Sequence, residues 1–128
     1  MSFGRMPLAN AFLTPDQFDR EYFYEMTPAF CSACGMFQIT EQPDPKQMFH
    51  DAYAFFTRTS KGMVAHFQQY AQWVQTRFAP KFVVEIGCND GAMLENFASG
   101  GVQHLGVEPS ANVAAVAEKH GIRTLVAF

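Results

Sequence analysis

The residues best suited to chemistry in this sequence lie between Glu85 and Gly91. Just before them, the β-branched and apolar run Phe82–Ile86 predicts a buried parallel strand. Gly87 and Gly91 follow this strand, and a helical pattern begins near Ala92. Because glycine permits positive φ and lets a ligand lie against bare backbone, the loop predicts a small-molecule site.

The spacing of the glycines narrows the choice of ligand. A dinucleotide fingerprint has the form G-x-G-x-x-G, and residues 87–92 supply only its first glycine in register, which disfavours nicotinamide and flavin. The sequence instead has an acid, Glu85, two residues before the pattern Gly87-Cys88-Asn89-Asp90-Gly91. This resembles motif I of S-adenosylmethionine-dependent methyltransferases, with Asn89 in place of the middle glycine. Asparagine is tolerable there because it accepts left-handed backbone conformations.

A second acid, Glu108, ends a second predicted strand at residues 104–108. It follows the first glycine by about twenty residues, where an acid in this architecture accepts hydrogen bonds from ribose hydroxyls. A helix capped by Ser110 and a third strand at residues 123–128 complete the pattern. The order strand, helix, strand, helix, strand is half of a doubly wound sheet.

Cys31 and Cys34 form a C-x-x-C motif followed by Gly35. A tight turn of this kind aims two thiolates at one tetrahedral zinc, so the motif predicts half of a zinc knuckle. Four ligands are needed, and a second C-x-x-C pair is absent; His50 is a conceivable third ligand, and Cys88 is far along the chain. A redox pair is the alternative, although the context of the motif lacks the helix start that redox pairs use.

Composition excludes several classes of function. The formal net charge of −3, with only 9 Lys and Arg in 128 residues, leaves no basic stripe for nucleic acid. No apolar run approaches the roughly 20 residues that span a bilayer, and the N-terminus lacks a signal-peptide pattern. Three cysteines fit a reducing compartment, so we expect a cytoplasmic protein without membrane or nucleic-acid partners. The oligomeric state is left open.

The predicted fold class is α/β, divided into three parts. Residues 1–47 form an incomplete, β-rich zinc-binding domain, and residues 48–80 an aromatic junction and a connecting helix. Residues 81–128 form the first half of an S-adenosylmethionine-binding, partial Rossmann-like (doubly wound) domain. The helix should begin near Ser60 and end before Pro80, with these residues on its apolar face: Met63, Phe67, Tyr70, Val74 and Phe78.

The third strand has no covering helix and no further strands beyond it. We therefore expect this chain to expose apolar sheet surface and an unpaired strand edge. On that ground the sequence is expected to be a fragment of a longer protein.

Several segments together resemble the sugar C-methyltransferases that carry an N-terminal zinc-binding domain. Their order and spacing make the combination specific, and it covers nearly the whole chain. The matching segments are residues 7–13, Cys31 to Cys34 with Gln38, residues 48–55, His66, residues 84–91 and residues 106–114.

The resemblance implies a zinc held by two C-x-x-C pairs, S-adenosylmethionine in the central domain and a nucleotide-linked keto-deoxysugar as acceptor. The first pair, expected upstream of Pro7, and the half that would hold the base histidine are missing here. The resemblance therefore implies metal ligands at Cys31 and Cys34, with zinc bound only if the missing pair is supplied. We expect this chain alone to be inactive.

The resemblance also suggests roles for residues of the loop. Glu85 would face the methionine amino group, Gly87 and Gly91 would admit the cofactor to the backbone, and Glu108 would bind the ribose. Asn89 and Asp90 are secondary cofactor contacts.

Tyr53 is the candidate catalytic residue, because it would touch the substrate or the enolate that forms when carbon is methylated beside a carbonyl. A plain packing role for this aromatic side chain is the alternative.

Two other functions stay open for the chain. One is a non-catalytic module whose zinc knuckle and aromatic junction bind a partner protein, and the other, less favoured, is a nicotinamide-dependent oxidoreductase.

Overall fold

The computed structural model describes all residues from 1 to 128 and divides into two compact units, Met1–Phe49 and His50–Phe128. The first unit is built from short antiparallel strands, and the second is a mixed α/β unit around a parallel sheet. The predicted aromatic junction, from His50 onward, and the connecting helix lie in the same unit as the parallel sheet. None of the helices has the length and apolar character needed to cross a bilayer.

The first unit contains two small hairpins. Strand β1 (Arg5–Pro7) pairs antiparallel with β2 (Phe23–Glu25), and a 3₁₀ helix at Pro15–Arg20 lies between the two strands in the sequence. Strand β3 (Pro28–Phe30) pairs antiparallel with β4 (Phe37–Ile39), and helix α1 (Pro45–Met48) ends the unit. The loop between β3 and β4 therefore carries both cysteines of the C-x-x-C motif.

The parallel sheet of the second unit contains β5 (Phe82–Ile86), β6 (Gln103–Glu108) and β7 (Thr124–Val126), in that order. Glu85 is paired with Gly106, and Glu108 with Val126. The mixed α/β class and the three parallel strands agree with the prediction. The full doubly wound arrangement stays a prediction.

Three helices connect or precede these strands. Helix α2 (Lys61–Phe78) begins where the Ser60 hydroxyl accepts a hydrogen bond from the Met63 N–H, and it ends before Pro80, as predicted. Helix α3 (Glu95–Ala98) starts later than expected. The reason is visible at Asn96, whose side-chain amide donates to the Ala92 and Met93 carbonyls and competes with regular helical bonding. Helix α4 (Ala111–Lys119) follows Ser110.

The core of the second unit lies between α2, α3 and α4 and one face of the sheet. Its fully buried members are Ala71, Cys88, Leu94, Phe97, Ala117 and Ile122. The predicted inner face of α2 was wrong in part, because Met63, Tyr70 and Phe78 are exposed. Ala71 is the buried residue of α2 instead, and its small side chain suits close packing in the cluster that includes Phe97.

One face of the sheet is uncovered in this chain. Along β5, the exposed residues Phe82, Val84 and Ile86 alternate with the half-buried Val83 and Glu85, as the two-residue period of a strand requires. Ile86 is 86% exposed. The expected exposure of apolar sheet surface is therefore confirmed.

Two glycines are required by close packing next to the loop after β5. A Cβ on Gly106 would lie 2.5 Å from the Cys88 sulfur, and a Cβ on Gly91 would lie 2.8 Å from Ile122 Cγ1. Gly106 lets the Cys88 side chain lie across β6, and Gly91 lets the loop meet the segment after α4. Both positions therefore fix the loop against the core.

We predict that Gly106→Ala lowers the free energy of unfolding by about 1–3 kcal/mol, because the added methyl group has no space beside Cys88. Gly62→Ala is the matched control: Gly62 is the second residue of α2 with nothing near its Cβ position, so alanine fits there and should not lower the stability. Urea denaturation curves measure both changes. Equal effects of the two substitutions would contradict the packing at Gly106.

Candidate functional site

Glu85 and Glu108 come together at the carboxyl edge of the parallel sheet. Glu85 is the fourth residue of β5, and Glu108 is the last residue of the neighbouring strand β6. Because Glu85 is in register with Gly106, two residues before Glu108, both acids belong to the same face of the sheet. Ligands of open parallel sheets bind outside this edge.

The carboxylate of Glu108 bridges the loop and the start of α4. It is only 4% exposed, and its two oxygens accept hydrogen bonds from the Asn89 N–H (2.9 Å) and the Ser110 N–H (2.9 Å). Ser110 occupies the predicted capping position, but its side chain makes no capping hydrogen bond. A carboxylate has about four acceptor positions, so Glu108 retains capacity for a further donor such as a ribose hydroxyl.

Glu85 is an acid held in an unfavourable environment. Burial, together with the negative charges of Asp90 and Glu108, raises its pKa to about 7, while a hydrogen bond that the carboxylate accepts from the Leu94 backbone N–H acts in the opposite direction. Its Oε2 atom is buried and has no hydrogen-bond partner. A positively charged ligand group at this place would relieve both the repulsion and the missing hydrogen bond.

The loop between β5 and α3 has three positive φ angles in five residues: Gly87 at +73°, Asn89 at +50° and Gly91 at +74°. The left-handed conformation expected for Asn89 is confirmed. Gly87 is exposed with open space where a Cβ would stand, whereas Gly91 is buried against Ile122. Gly87 is thus the loop glycine whose backbone a ligand can reach.

The side chains of Asn89 and Asp90 both contact the chain just before α2. Asn89 Oδ1 accepts hydrogen bonds from the Thr57 N–H (3.0 Å) and hydroxyl (3.2 Å), and its Nδ2 donates to the Phe55 carbonyl (3.0 Å). Asp90 is fully buried, and its Oδ2 accepts from the Arg58 N–H at 2.8 Å. Direct contact of these two side chains with a cofactor stays a prediction.

Tyr53 lies half-buried beside the start of α4. Its backbone carbonyl accepts a hydrogen bond of 2.8 Å from the Asn112 side-chain amide. The structure therefore brings the candidate catalytic residue to the helix that follows Glu108. Its contact with a substrate stays a prediction.

Sequence reasoning missed the residues that hold this region together. They are Thr57, which is buried, Arg58, whose guanidinium contacts both the Asp90 carbonyl and Glu95, and Asn112. Their partners are 32 to 59 residues away along the chain. One signal in the sequence could have indicated Arg58, because it is the single cation in an otherwise aromatic and polar segment. A buried acid in the loop after β5 needs a positively charged partner, and Arg58 is suited to that role.

The C-x-x-C loop has the backbone of a knuckle. The Gly35 N–H donates to the Cys31 carbonyl, the Cys31 N–H donates to the Met36 carbonyl, and Gly35 has a φ of +75°. Hydrogen bonds from the Cys34 backbone and side chain, and from the Ala33 backbone, lower the pKa of Cys31. This arrangement suits two thiolate ligands.

A complete zinc site does not fit the residues of this chain. No group of three or more His, Cys, Asp or Glu side chains is placed to hold a metal ion. The conceivable third ligand, His50, accepts a hydrogen bond from the Ala52 N–H through Nδ1 instead. The two cysteines therefore supply half of a four-coordinate set, and zinc binding by this chain stays a prediction.

Comparisons with known proteins agree with the two-unit organisation. Residues 1–49 match the family model described as "Putative zinc binding domain", of the family Methyltransf_13. The chain is also similar to the C-methyltransferase NovU of Streptomyces niveus, with 28% identity over 131 residues. The alignment covers 99% of this chain and 31% of that relative, so the chain spans about a third of its length.

We predict that Glu85→Gln stabilises the chain above neutral pH. In the unfolded chain Glu85 ionises near the ordinary glutamate pKa of 4.5, but the folded carboxyl ionises near 7, so the wild type loses stability as pH rises between these values. Glutamine cannot ionise, and its advantage should grow from near zero at low pH to about 1–3 kcal/mol at pH 8, allowing for partial solvation.

The measurement is thermal or urea unfolding of both proteins across this pH range. Glu118→Gln, at an exposed position of α4, is the matched control for removing one carboxylate. A stability difference that stays flat with pH would contradict the environment assigned to Glu85.

We also predict two classes of thiol in the folded chain. Cys34 is exposed and Cys31 half-buried with a lowered pKa, so both should react rapidly with Ellman's reagent. Burial, with the charges of Glu85 and Glu108, raises the pKa of Cys88 to about 12, so it should react only on unfolding. Cys88→Ala should remove the slow phase alone; three fast thiols in the wild type would contradict the core position of Cys88.

Proposed function

We propose that the unit His50–Phe128 binds S-adenosylmethionine at the carboxyl edge of β5 and β6. We further propose that the chain is part of a C-methyltransferase acting on a nucleotide-linked keto-deoxysugar. The observation that carries the proposal is the pair of acids, Glu85 and Glu108, on either side of a loop whose Gly87 backbone is open. Similarity to a C-methyltransferase and to a zinc-binding family model supports the same assignment.

The charge of the site favours a cationic ligand. Negative charge is concentrated there, since the charges of Asp90 and Glu108 both raise the pKa of Glu85. The side chain of Arg58 approaches Asp90 (3.9 Å between Nε and Oδ1) and contacts Glu95 at 2.6 Å, which leaves Glu85 without a cation. S-adenosylmethionine carries a sulfonium and an ammonium, whereas nicotinamide and flavin dinucleotides bring anionic phosphates.

Each proposed contact has a structural basis. The unpartnered Oε2 of Glu85 is suited to accept from the ammonium of the methionine part. The exposed backbone at Gly87 leaves room for the cofactor to pass, and the remaining acceptor positions of Glu108 are suited to ribose hydroxyls. Ser110 follows Glu108 by two residues, and its Oγ is buried at the start of α4 without a hydrogen-bond partner. This hydroxyl is a further group that could form a hydrogen bond with the ligand.

The chemistry of the proposed reaction makes two demands on the protein. S-adenosylmethionine supplies the electrophilic methyl group when bound, and the chain must align it with the acceptor carbon. Methylation of carbon beside a carbonyl also requires that a general base remove a proton and that the enolate oxygen be stabilised. Tyr53 is the residue of this chain proposed to contact the acceptor, and no base is assigned within the chain.

We predict that isothermal titration calorimetry shows saturable binding of S-adenosylmethionine to the 128-residue chain and none of NAD. Glu85→Gln should weaken binding by roughly 10- to 100-fold, because a charge-assisted hydrogen bond to the ammonium is lost. The variant should bind worse while being more stable at pH 8, a combination that a purely structural carboxylate does not give.

Glu118→Gln again serves as the control and should bind like the wild type. Saturable binding of NAD without binding of S-adenosylmethionine would overturn the proposal. Methyl transfer from labelled S-adenosylmethionine to a keto-sugar nucleotide, by the full-length product of the gene, would exclude a purely partner-binding module.

A further inference from the structure

The loop after β5 has a backbone that leaves much of its conformation to be fixed by contacts with other segments. Three of the residues from 87 to 91, namely Gly87, Asn89 and Gly91, have positive φ, and two of them are glycines with wide conformational freedom. A loop of this kind loses much entropy when a ligand fixes it, unless other parts of the protein have fixed it beforehand. The contacts that restrain the loop from outside therefore matter for ligand affinity.

Residues 55–58, here called the clamp segment, supply several of these contacts, in addition to those that β6 makes through the Val107 carbonyl and the Glu108 carboxylate. The side-chain amide of Asn89 pairs with the clamp segment as a peptide group would: its oxygen faces the Thr57 N–H and its nitrogen faces the Phe55 carbonyl. Thr57 is buried at this contact and adds its hydroxyl to the same oxygen. Asn89 thus joins the loop to a segment 32 to 34 residues earlier.

Arg58 makes the second part of the connection. Its backbone N–H donates to Asp90 Oδ2, and its Nε and Nη2 donate to the Asp90 carbonyl at 3.2 and 3.1 Å. Its Nη1 reaches Glu95 Oε2 at 2.6 Å, at the start of α3. One side chain therefore fixes both the middle and the end of the loop, and it supplies the positive charge that the fully buried Asp90 requires.

We propose that Asn89 and Arg58 are positioning residues, which hold the loop in its ligand-binding conformation by joining it to the clamp segment. The inference rests on the proposed function, because the ligand whose affinity they raise is S-adenosylmethionine. Asn89 then has a specific task at the position where motif I has a glycine. Tolerance of its positive φ would explain only why asparagine is permitted there.

Glycine at position 89 separates these two explanations. Asn89→Gly keeps the positive φ without strain and removes all three side-chain hydrogen bonds to the clamp segment. If Asn89 is only a permitted replacement for glycine, the Asn89→Gly variant should bind S-adenosylmethionine as tightly as the wild type or more tightly. If Asn89 positions the loop, glycine should weaken binding by roughly 5- to 30-fold.

The experiment is calorimetric titration of the 128-residue chain with S-adenosylmethionine. It is carried out at a temperature well below the thermal unfolding midpoint of every variant. Asn10→Gly is the matched control, because Asn10 also has positive φ (+63°) but lies in the first unit. Arg58→Lys is the second variant: it keeps the charge and the backbone N–H but loses the fork that reaches Asp90 and Glu95. We expect roughly 3- to 10-fold weaker binding for Arg58→Lys and no change for Asn10→Gly.

Hydrogen exchange measured by mass spectrometry distinguishes positioning from a general loss of stability. In Asn89→Gly, exchange should become faster in peptides that cover residues 55–58 and 87–91, while α4 exchanges as in the wild type. A variant that is merely less stable would exchange faster in α4 as well. This measurement needs no bound ligand.

The outcomes separate the two proposals. If the wild type shows no saturable binding of S-adenosylmethionine, the proposed function fails and this inference fails with it. If the wild type binds and Asn89→Gly binds equally well or better, only this inference is overturned. Weaker binding by both variants, with exchange changes confined to the clamp segment and the loop, supports it.

Discussion

The second unit depends on a loop that must hold positive φ angles at Gly87, Asn89 and Gly91 while linking strand β5 to the core. Three groups of contacts make that conformation stable. Glu108 accepts the Asn89 N–H, the clamp segment pairs with the Asn89 side chain, and Gly91 packs directly against Ile122. The loop is therefore part of the folded core on one side and open to solvent at Gly87 on the other. That combination is what a preorganised ligand site requires.

Electrostatic repulsion is concentrated at the same place. The negative charges of Asp90 and Glu108 both raise the pKa of Glu85, and the three carboxyl groups differ in the partners that the chain gives them. Backbone N–H groups donate to both oxygens of Glu108, and the Arg58 N–H donates to Asp90 Oδ2. Asp90 Oδ1 and Glu85 Oε2 are both buried without a hydrogen-bond partner, but the Arg58 guanidinium lies 3.9 Å from Asp90 Oδ1. Unfavourable burial of a carboxyl group is common where a protein later binds an opposite charge. Ionisation of Glu85 thus costs the folded chain some stability, which the cationic ligand of the proposed function would recover.

The two units present different kinds of sites. The knuckle in the β3–β4 loop has the backbone hydrogen bonds and positive φ that suit two thiolate ligands, yet it stands without further ligands in this chain. The loop after β5 is held by hydrogen bonds from and to other segments of its own unit, at Thr57, Arg58 and Glu108. Residues 1–49 match a zinc-binding family model, while the similarity to a C-methyltransferase extends over both units. The predicted metal binding and the proposed cofactor binding can therefore be tested separately.

The sequence by itself determined the local features of this protein. The β-branched run before Gly87, the Ser60 cap with Pro80 beyond α2, and the acid at the end of β6 each encode their structure within a few residues. The positive φ at Asn89 was predictable for the same reason, since it depends on the residue type and its nearest neighbours. Short-range propensity and strand or helix period carry that information.

Only the tertiary structure decided which residues meet across the chain. The pairing of Asn89 with Thr57, the ion pair of Arg58 with Glu95 and the amide of Asn112 on Tyr53 join positions 32 to 59 residues apart. The buried side of α2 was mispredicted in part for a related reason. The spacing of apolar residues shows that the helix has an apolar face, but the segments that pack against it decide that Ala71 is buried and Tyr70 exposed. Burial and partner choice are properties of the assembled core, so no short stretch of sequence contains them.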